Sequence, residues 1–187
     1  PYTTLFRSYV SQVKELYERV VNVAKGAAMM AGTTVECELA MAFTEYIPNM
    51  ALASVADECM QEIGAPDWTD EDYRLAREFL NTYNEQTKTM IRKEIIDKYG
   101  EDRLEEILEN PLDSEIHSFD PSKIKLEAGS TDVGDVGYAV PTLNINVATC
   151  CIGNVGHTWQ MTAQSCSPIA HKGLLTAAKV MALASVR

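Results

Sequence analysis

Residues 35–44 alternate without a break. Val35, Cys37, Leu39, Met41 and Phe43 fall on one side, and Glu36, Glu38, Ala40, Ala42 and Thr44 on the other. A period of two is the pattern of a half-buried strand, and Pro48, which cannot donate to a sheet ladder, closes it. One face is apolar and the other acidic, so such a strand covers a helix layer and turns its other side to water. It cannot stand alone, because isolated strands and hairpins are marginal in water. No other run in the chain alternates for as long. Its partner is therefore expected to be the same strand of a second copy, or strands outside these 187 residues.

Most of the remaining sequence has helical spacing. Thr3 or Thr4 can cap a first helix running from about Thr4 to Met30, with Gly32 to stop it. Its stripe of Leu5, Phe6, Tyr9, Val10, Val13, Leu16, Tyr17, Val20, Val21, Ala24, Ala27 and Ala28 is expected to face a core. Asn49 is placed to cap a second helix that ends near Gly64. Thr69-Asp70-Glu71-Asp72 puts acids in the first turn of another. Residues 87–99 and 101–109 follow as charged helices with a few apolar anchors. Charges of both signs mix there without blocks, so residues 65–110 read as a solvated helical excursion with no visible chemistry. Residues 110–122 read as loop, and Ser167-Pro168 opens the last helix.

The charge balance narrows the partners. Acids outnumber bases 27 to 16, for a formal charge of −11, which disfavours binding to nucleic acid or to an anionic membrane surface. No apolar run approaches the roughly 18–20 residues a membrane span needs. The five cysteines, Cys37, Cys59, Cys150, Cys151 and Cys166, are odd in number and lack C-x-x-C spacing. They read as reduced thiols of a cytoplasmic protein. The first residue is Pro1 and not Met, which fits a fragment or a processed chain.

Chemistry concentrates between Ala128 and Thr158. Gly129, Gly134 and Gly137 allow close backbone approach. Ser130, Thr131 and Asp132 are residue types that cap a helix, and Asp135 reads as a turn acid. Residues 123–127 and 143–149 are short strand candidates. The chain leaves the second through Cys150-Cys151-Ile152-Gly153-Asn154-Val155-Gly156 and presents His157-Thr158. A histidine past a strand end is where open α/β sheets place their ligands, and imidazole is the commonest metal ligand. The plainer reading is a loop histidine bonded to backbone. Cys150 and Cys151 with His157 suggest a Cys/His zinc site only weakly, because two separated cysteine pairs are missing. His117 reads as an exposed loop histidine, and His171 as a structural hydrogen-bonding residue. No P-loop, dinucleotide-binding G-x-G-x-x-G or G-x-S-x-G is present.

Taken together, G-S-T-D-V-G-D-V (129–136), V-A-T (147–149), G-H-T-W-Q (156–160) and I-A-H-K-G (169–173) carry a resemblance. So do G-A-A-M-M-A-G-T (26–33) and I-P-N (47–49). They resemble the metal-dependent aminoacylase/carboxypeptidase family of peptidases and amidohydrolases, over roughly the last two fifths of such an enzyme. The resemblance implies an α/β fold: the C-terminal part of a metallopeptidase-like catalytic domain, residues 49–187, with a helical insertion at about 65–110. Before it, residues 1–48 would be the final helix and strand of an α+β dimerisation (lid) domain. The implied activity is hydrolysis of an acyl- or aroyl-amino acid amide such as p-aminobenzoyl-glutamate. Two divalent metals, Mn or Zn, would serve it, with His157 as a metal ligand and Thr131, Asp132 and Asn49 at the substrate. A Glu general base and the remaining ligands would lie in the missing N-terminal part, leaving no catalytic residue here and the fragment inactive. The implied assembly is a homodimer, or a heterodimer with a related A subunit. Two other classes stay open: a non-catalytic α/β self-association module and a small Cys/His zinc protein.

Overall fold

The computed structural model describes residues 9–123 and 131–187. Among them there are eight α-helices and no strand. The helices are α1 (Val10–Ala31), α2 (Met50–Ile63), α3 (Asp70–Asn81), α4 (Glu85–Tyr99), α5 (Leu104–Glu109), α6 (Val133–Ala139), α7 (Trp159–Gln164) and α8 (Pro168–Ala184). Short 3-10 turns cover Glu101–Arg103 and Pro121–Lys123. The expected α/β fold, with a strand closing a dimerisation domain and a metallopeptidase-like sheet, is therefore corrected to an all-helical one. The physical reason is that alternation is a local property and a strand is not. Among the described residues, neither 34–48 nor 143–149 meets a neighbour that completes a ladder, and residues 31–42 are exposed on both sides of the alternation. The strand candidate at 123–127 falls almost wholly outside the described residues, as do the first turns of the expected N-terminal helix.

The chain divides into two compact units, Pro1–Ala53 with Asp120–Asn144, and Ser54–Phe119 with Ile145–Arg187. In the first, α1 ends as its sequence predicts. Gly32 takes φ 63°, which glycine adopts without a Cβ penalty, and the Thr33 N–H closes on the Ala28 carbonyl at 2.9 Å. The stripe of Val10, Val13, Leu16, Tyr17, Val20, Val21 and Ala24 is the half-buried side of α1, yet none of its residues is fully buried. Residues 44–46 are fastened to α6 and its flank. Thr44 donates its N–H and its hydroxyl to Asp135 Oδ1 at 2.9 and 2.6 Å. Tyr138 donates to Glu45 Oε1 at 3.0 Å, and the other Glu45 oxygen accepts the Val10 N–H at 3.0 Å. Gly134 is what lets α6 come this close, since a Cβ there would lie 2.1 Å from the Thr44 carbonyl oxygen. The alanine-rich helix α2 begins in this unit and continues into the second.

The second unit holds the core. Ala76, Leu80 and Tyr83 from α3 and its exit meet Ile91 and Ile95 of α4, Ile107 of α5, Leu112, Cys151 and Ile169 of α8. The excursion that reads as solvated is thus the packing centre of this unit. Its anchors are sparse but recur at i, i+4 (Ala76 and Leu80, Ile91 and Ile95), which is enough to face one side inward. Three of its helix starts carry their own stop on fraying. Thr69 and Asp72 form a reciprocal capping box, the Asn84 side chain accepts from the Thr87 N–H, and the Ser167 hydroxyl caps α8 with Pro168 behind it. Lys172 at the start of α8 reaches back to α3. Its Nζ donates to Asp72 Oδ2 at 2.5 Å and to the Asp67 carbonyl at 2.8 Å. No described helix is long and apolar enough to cross a membrane.

Candidate functional site

His157 stands on the short loop between Cys150 and α7, and the loop is held residue by residue. Gln164, fully buried, accepts the Cys151 N–H on Oε1 at 2.8 Å and donates from Nε2 to Asn154 Oδ1 at 2.7 Å. Tyr83, 6% exposed, donates its hydroxyl proton toward the same Asn154 oxygen at 3.3 Å and accepts the Val155 N–H at 3.0 Å. The Ile152 N–H donates to the Pro111 carbonyl at 2.8 Å. Gly153 takes φ 82°, and a Cβ there would run into Ile91 Cγ2 at 2.4 Å. Thr158 closes the loop: its hydroxyl donates to the Val155 carbonyl at 2.7 Å, and its oxygen accepts the Met161 N–H to cap α7.

Clamped at both ends, the loop forces His157 into the left-handed region at φ 57°. It is the sole non-glycine residue with positive φ among those described. Such a backbone costs an L-residue about 1–2 kcal/mol, and strain of this kind is found at sites that hold a side chain for a purpose. The imidazole is exposed and makes no hydrogen bond among the described residues. The backbone-bonded loop histidine of the plainer reading is therefore not what the chain builds.

The other expected site residues lie in the first unit. Thr131 is half-buried, and its hydroxyl oxygen accepts the Val133 N–H at 3.3 Å. Asp132 occupies the N-cap position of α6 but makes no side-chain cap bond, and its exposed carboxylate is uncommitted among the described residues. Asp135, by contrast, is occupied by Thr44, and those two hydrogen bonds hold its carboxyl below the usual range. Asn49 caps α2 through Oδ1, which accepts the Leu52 N–H at 3.0 Å. Its own N–H donates to the Thr142 carbonyl at 3.2 Å, and the Thr142 hydroxyl is buried with no partner among the described residues. His117 is exposed and pairs with Asp113 at 2.9 Å. His171 is exposed and makes no side-chain hydrogen bond among the described residues; its neighbour Lys172 makes the structural contact instead.

A metal would need more than this. No group of three or more His, Cys, Asp or Glu side chains is arranged to hold an ion among the described residues. One exposed imidazole supplies one of the four positions of a tetrahedral site or one of the six of an octahedral one. The residues present do not by themselves fit a metal. The cysteines do not complete a zinc site either, since none of the five belongs to such a group among the described residues. Burial, with Cys150 beside it, pushes the Cys151 thiol up to about 12.

Tyr83, Asn154, Gln164 and the Asp72–Lys172 pair are the participants that spacing does not reveal. Each lies far in sequence from its partner or is an ordinary amide, and α7 is only six residues long, below the length at which periodicity shows.

Comparison with known proteins places a relative beside these features. No protein-family model and no solved structure matches the chain. It is similar to the B subunit of p-aminobenzoyl-glutamate hydrolase from Escherichia coli (strain K12), with 33% identity over 180 residues. These make up 95% of this chain but only 37% of that protein. The resemblance carried by the glycine-acid and Gly-His-Thr motifs thus extends along nearly the whole chain.

Proposed function

We propose that this chain is the C-terminal portion of a metal-dependent amidohydrolase that cleaves acyl- or aroyl-amino acid amides, with p-aminobenzoyl-glutamate as the test substrate. The observation that carries the reading is the 33% identity sustained over 95% of the chain to a subunit of a hydrolase named for that amide. His157, strained and presented to solvent on a clamped loop, is the group that the reading assigns to a divalent ion, Mn or Zn. Thr131, Asp132 and Asn49 are assigned to the substrate, with the uncommitted carboxylate of Asp132 the best placed of them to accept a hydrogen bond. The rest of the ligand set, a second ion and the general base are assigned to the part of the relative that this chain does not span. The relative's designation as a B subunit supports assembly as a dimer with itself or with a related A subunit. Free, partly buried thiols support a cytoplasmic location.

The test measures p-aminobenzoyl-glutamate hydrolysis with added Mn²⁺ or Zn²⁺, for the 187-residue chain and for the full-length subunit that the reading requires. The expected result is no turnover by the chain alone, and turnover by the full-length subunit that His157→Ala lowers at least 100-fold. Turnover by the chain alone would place the catalytic set among residues assigned here to the scaffold. A full-length subunit that is folded and metal-loaded but inactive on acyl-amino acids overturns the reading.

One observation favours a second function, a non-catalytic self-association module. The helix α1 buries none of its residues, and Val35, Leu39 and Met41 are exposed after it. Sedimentation of the chain distinguishes the two, because a module of this kind dimerises without the remainder of the subunit.

A further inference from the structure

From the hydrogen-bond network of the second unit, we infer that Tyr83, in the helical excursion, is the positioning residue for His157. The inference rests on the reading of His157 as a site residue and goes beyond it by giving the excursion a part in the reaction.

Among the described residues, the hydroxyl of Tyr83 is the only group from outside the loop and α7 that bonds to two consecutive loop residues, Asn154 and Val155. Val155 is two residues before His157 and also receives the Thr158 hydroxyl on its carbonyl. Val155 is therefore gripped at its N–H by Tyr83, just past the end of α3, and at its carbonyl by Thr158, the cap of α7, and His157 lies in the span between Val155 and Thr158. A left-handed backbone at a non-glycine residue persists only when its surroundings over-determine it, and these two grips do so. The Tyr83 ring is itself fixed, packed in the core with Leu80, Ile91 and Ile95. Asn154, held from the other side by buried Gln164, keeps the hydroxyl aimed. The position of His157 is thus referred to the buried core of its unit, as a group needs to be when a displacement of about 1 Å costs on the order of 100-fold in rate.

The variant that isolates this role is Tyr83→Phe, which keeps the ring in the core and deletes the two hydrogen bonds. Tyr73→Phe is the control: it removes a hydroxyl from a ring packed against the same core, where the hydroxyl bonds to no described residue. In the full-length subunit, Tyr83→Phe is expected to lower kcat about 10- to 100-fold with KM changed less than about twofold, and Tyr73→Phe to leave both unchanged. In the 187-residue chain, hydrogen exchange at the Val155 amide is expected to rise at least tenfold in Tyr83→Phe, with core amides such as Ile95 unaffected. Equal kinetics for Tyr83→Phe and wild type overturn the inference, as does a parallel loss of kcat and melting temperature in both variants. Were the wild-type subunit inactive on the amide, the functional reading would fail first. The exchange measurement then decides: slow Val155 exchange in Tyr83→Phe removes the positioning role, and fast local exchange retains it.

Discussion

At the scale of single residues, the two most informative side chains are a strained one and a buried one. His157 was legible from its Gly-His-Thr surroundings, but its left-handed backbone was not, because φ is set by what holds Val155 and Thr158. Asp72 was legible only as a first-turn acid. Burial by itself would raise its carboxyl, but the hydrogen bonds from Lys172 and Thr69 outweigh that and hold it below the usual carboxylate range. A depressed folded-state value contributes stability that is present above the ordinary Asp value near 4 and lost as pH falls below it. Lys172→Met leaves the carboxylate 3% exposed and without its cation. The expected cost at pH 7 is about 3 kcal/mol, at the low end for a broken buried pair because Lys172 keeps part of its chain in water. In the variant the remaining burial favours the protonated acid, so the deficit shrinks as pH falls to about 4. Urea unfolding at pH 7 and pH 4 measures both, and a deficit independent of pH would assign the loss to packing of the lysine stem.

At the scale of elements, helix starts were readable and strands were not. Thr69, Asn84 and Ser167 cap where their types predict, because a cap is settled within four residues. A strand needs a neighbour, and residues 34–48 have none among those described. Glycine in a helix shows the same division. Gly26 in α1 has open space where a Cβ would go, while a Cβ on Gly173 in α8 would meet the Ala148 carbonyl oxygen at 2.1 Å. Gly26→Ala is therefore expected to stabilise by about 1 kcal/mol through helix propensity alone. Gly173→Ala gains the same propensity but must push α8 off a backbone oxygen, an overpacking cost of about 1–3 kcal/mol, and is expected to destabilise. Opposite shifts in melting temperature verify the contact; a rise in both would mean that α8 is free to move away.

At the scale of the whole molecule, burial separates residues that composition treats alike. Cys37 and Cys166 are exposed while Cys59 and Cys151 are buried, so a maleimide pulse on the native chain should label the first two and spare the second two until denaturant is added. Early labelling of Cys151 would contradict a core closed around it. What the sequence determined by itself is local or additive: the acidic charge, free thiols, where helices begin, and the motifs that lead to the hydrolase relative. The tertiary structure alone decided what depends on distant partners. It placed the core in a stretch that looks solvated, because a few anchors at i, i+4 suffice once three helices share them. It withheld a sheet from a well-formed strand pattern, because alternation supplies a face and not a neighbour. It also set the strained backbone of His157 through a tyrosine more than seventy residues earlier in the chain, a coupling that no local spacing encodes.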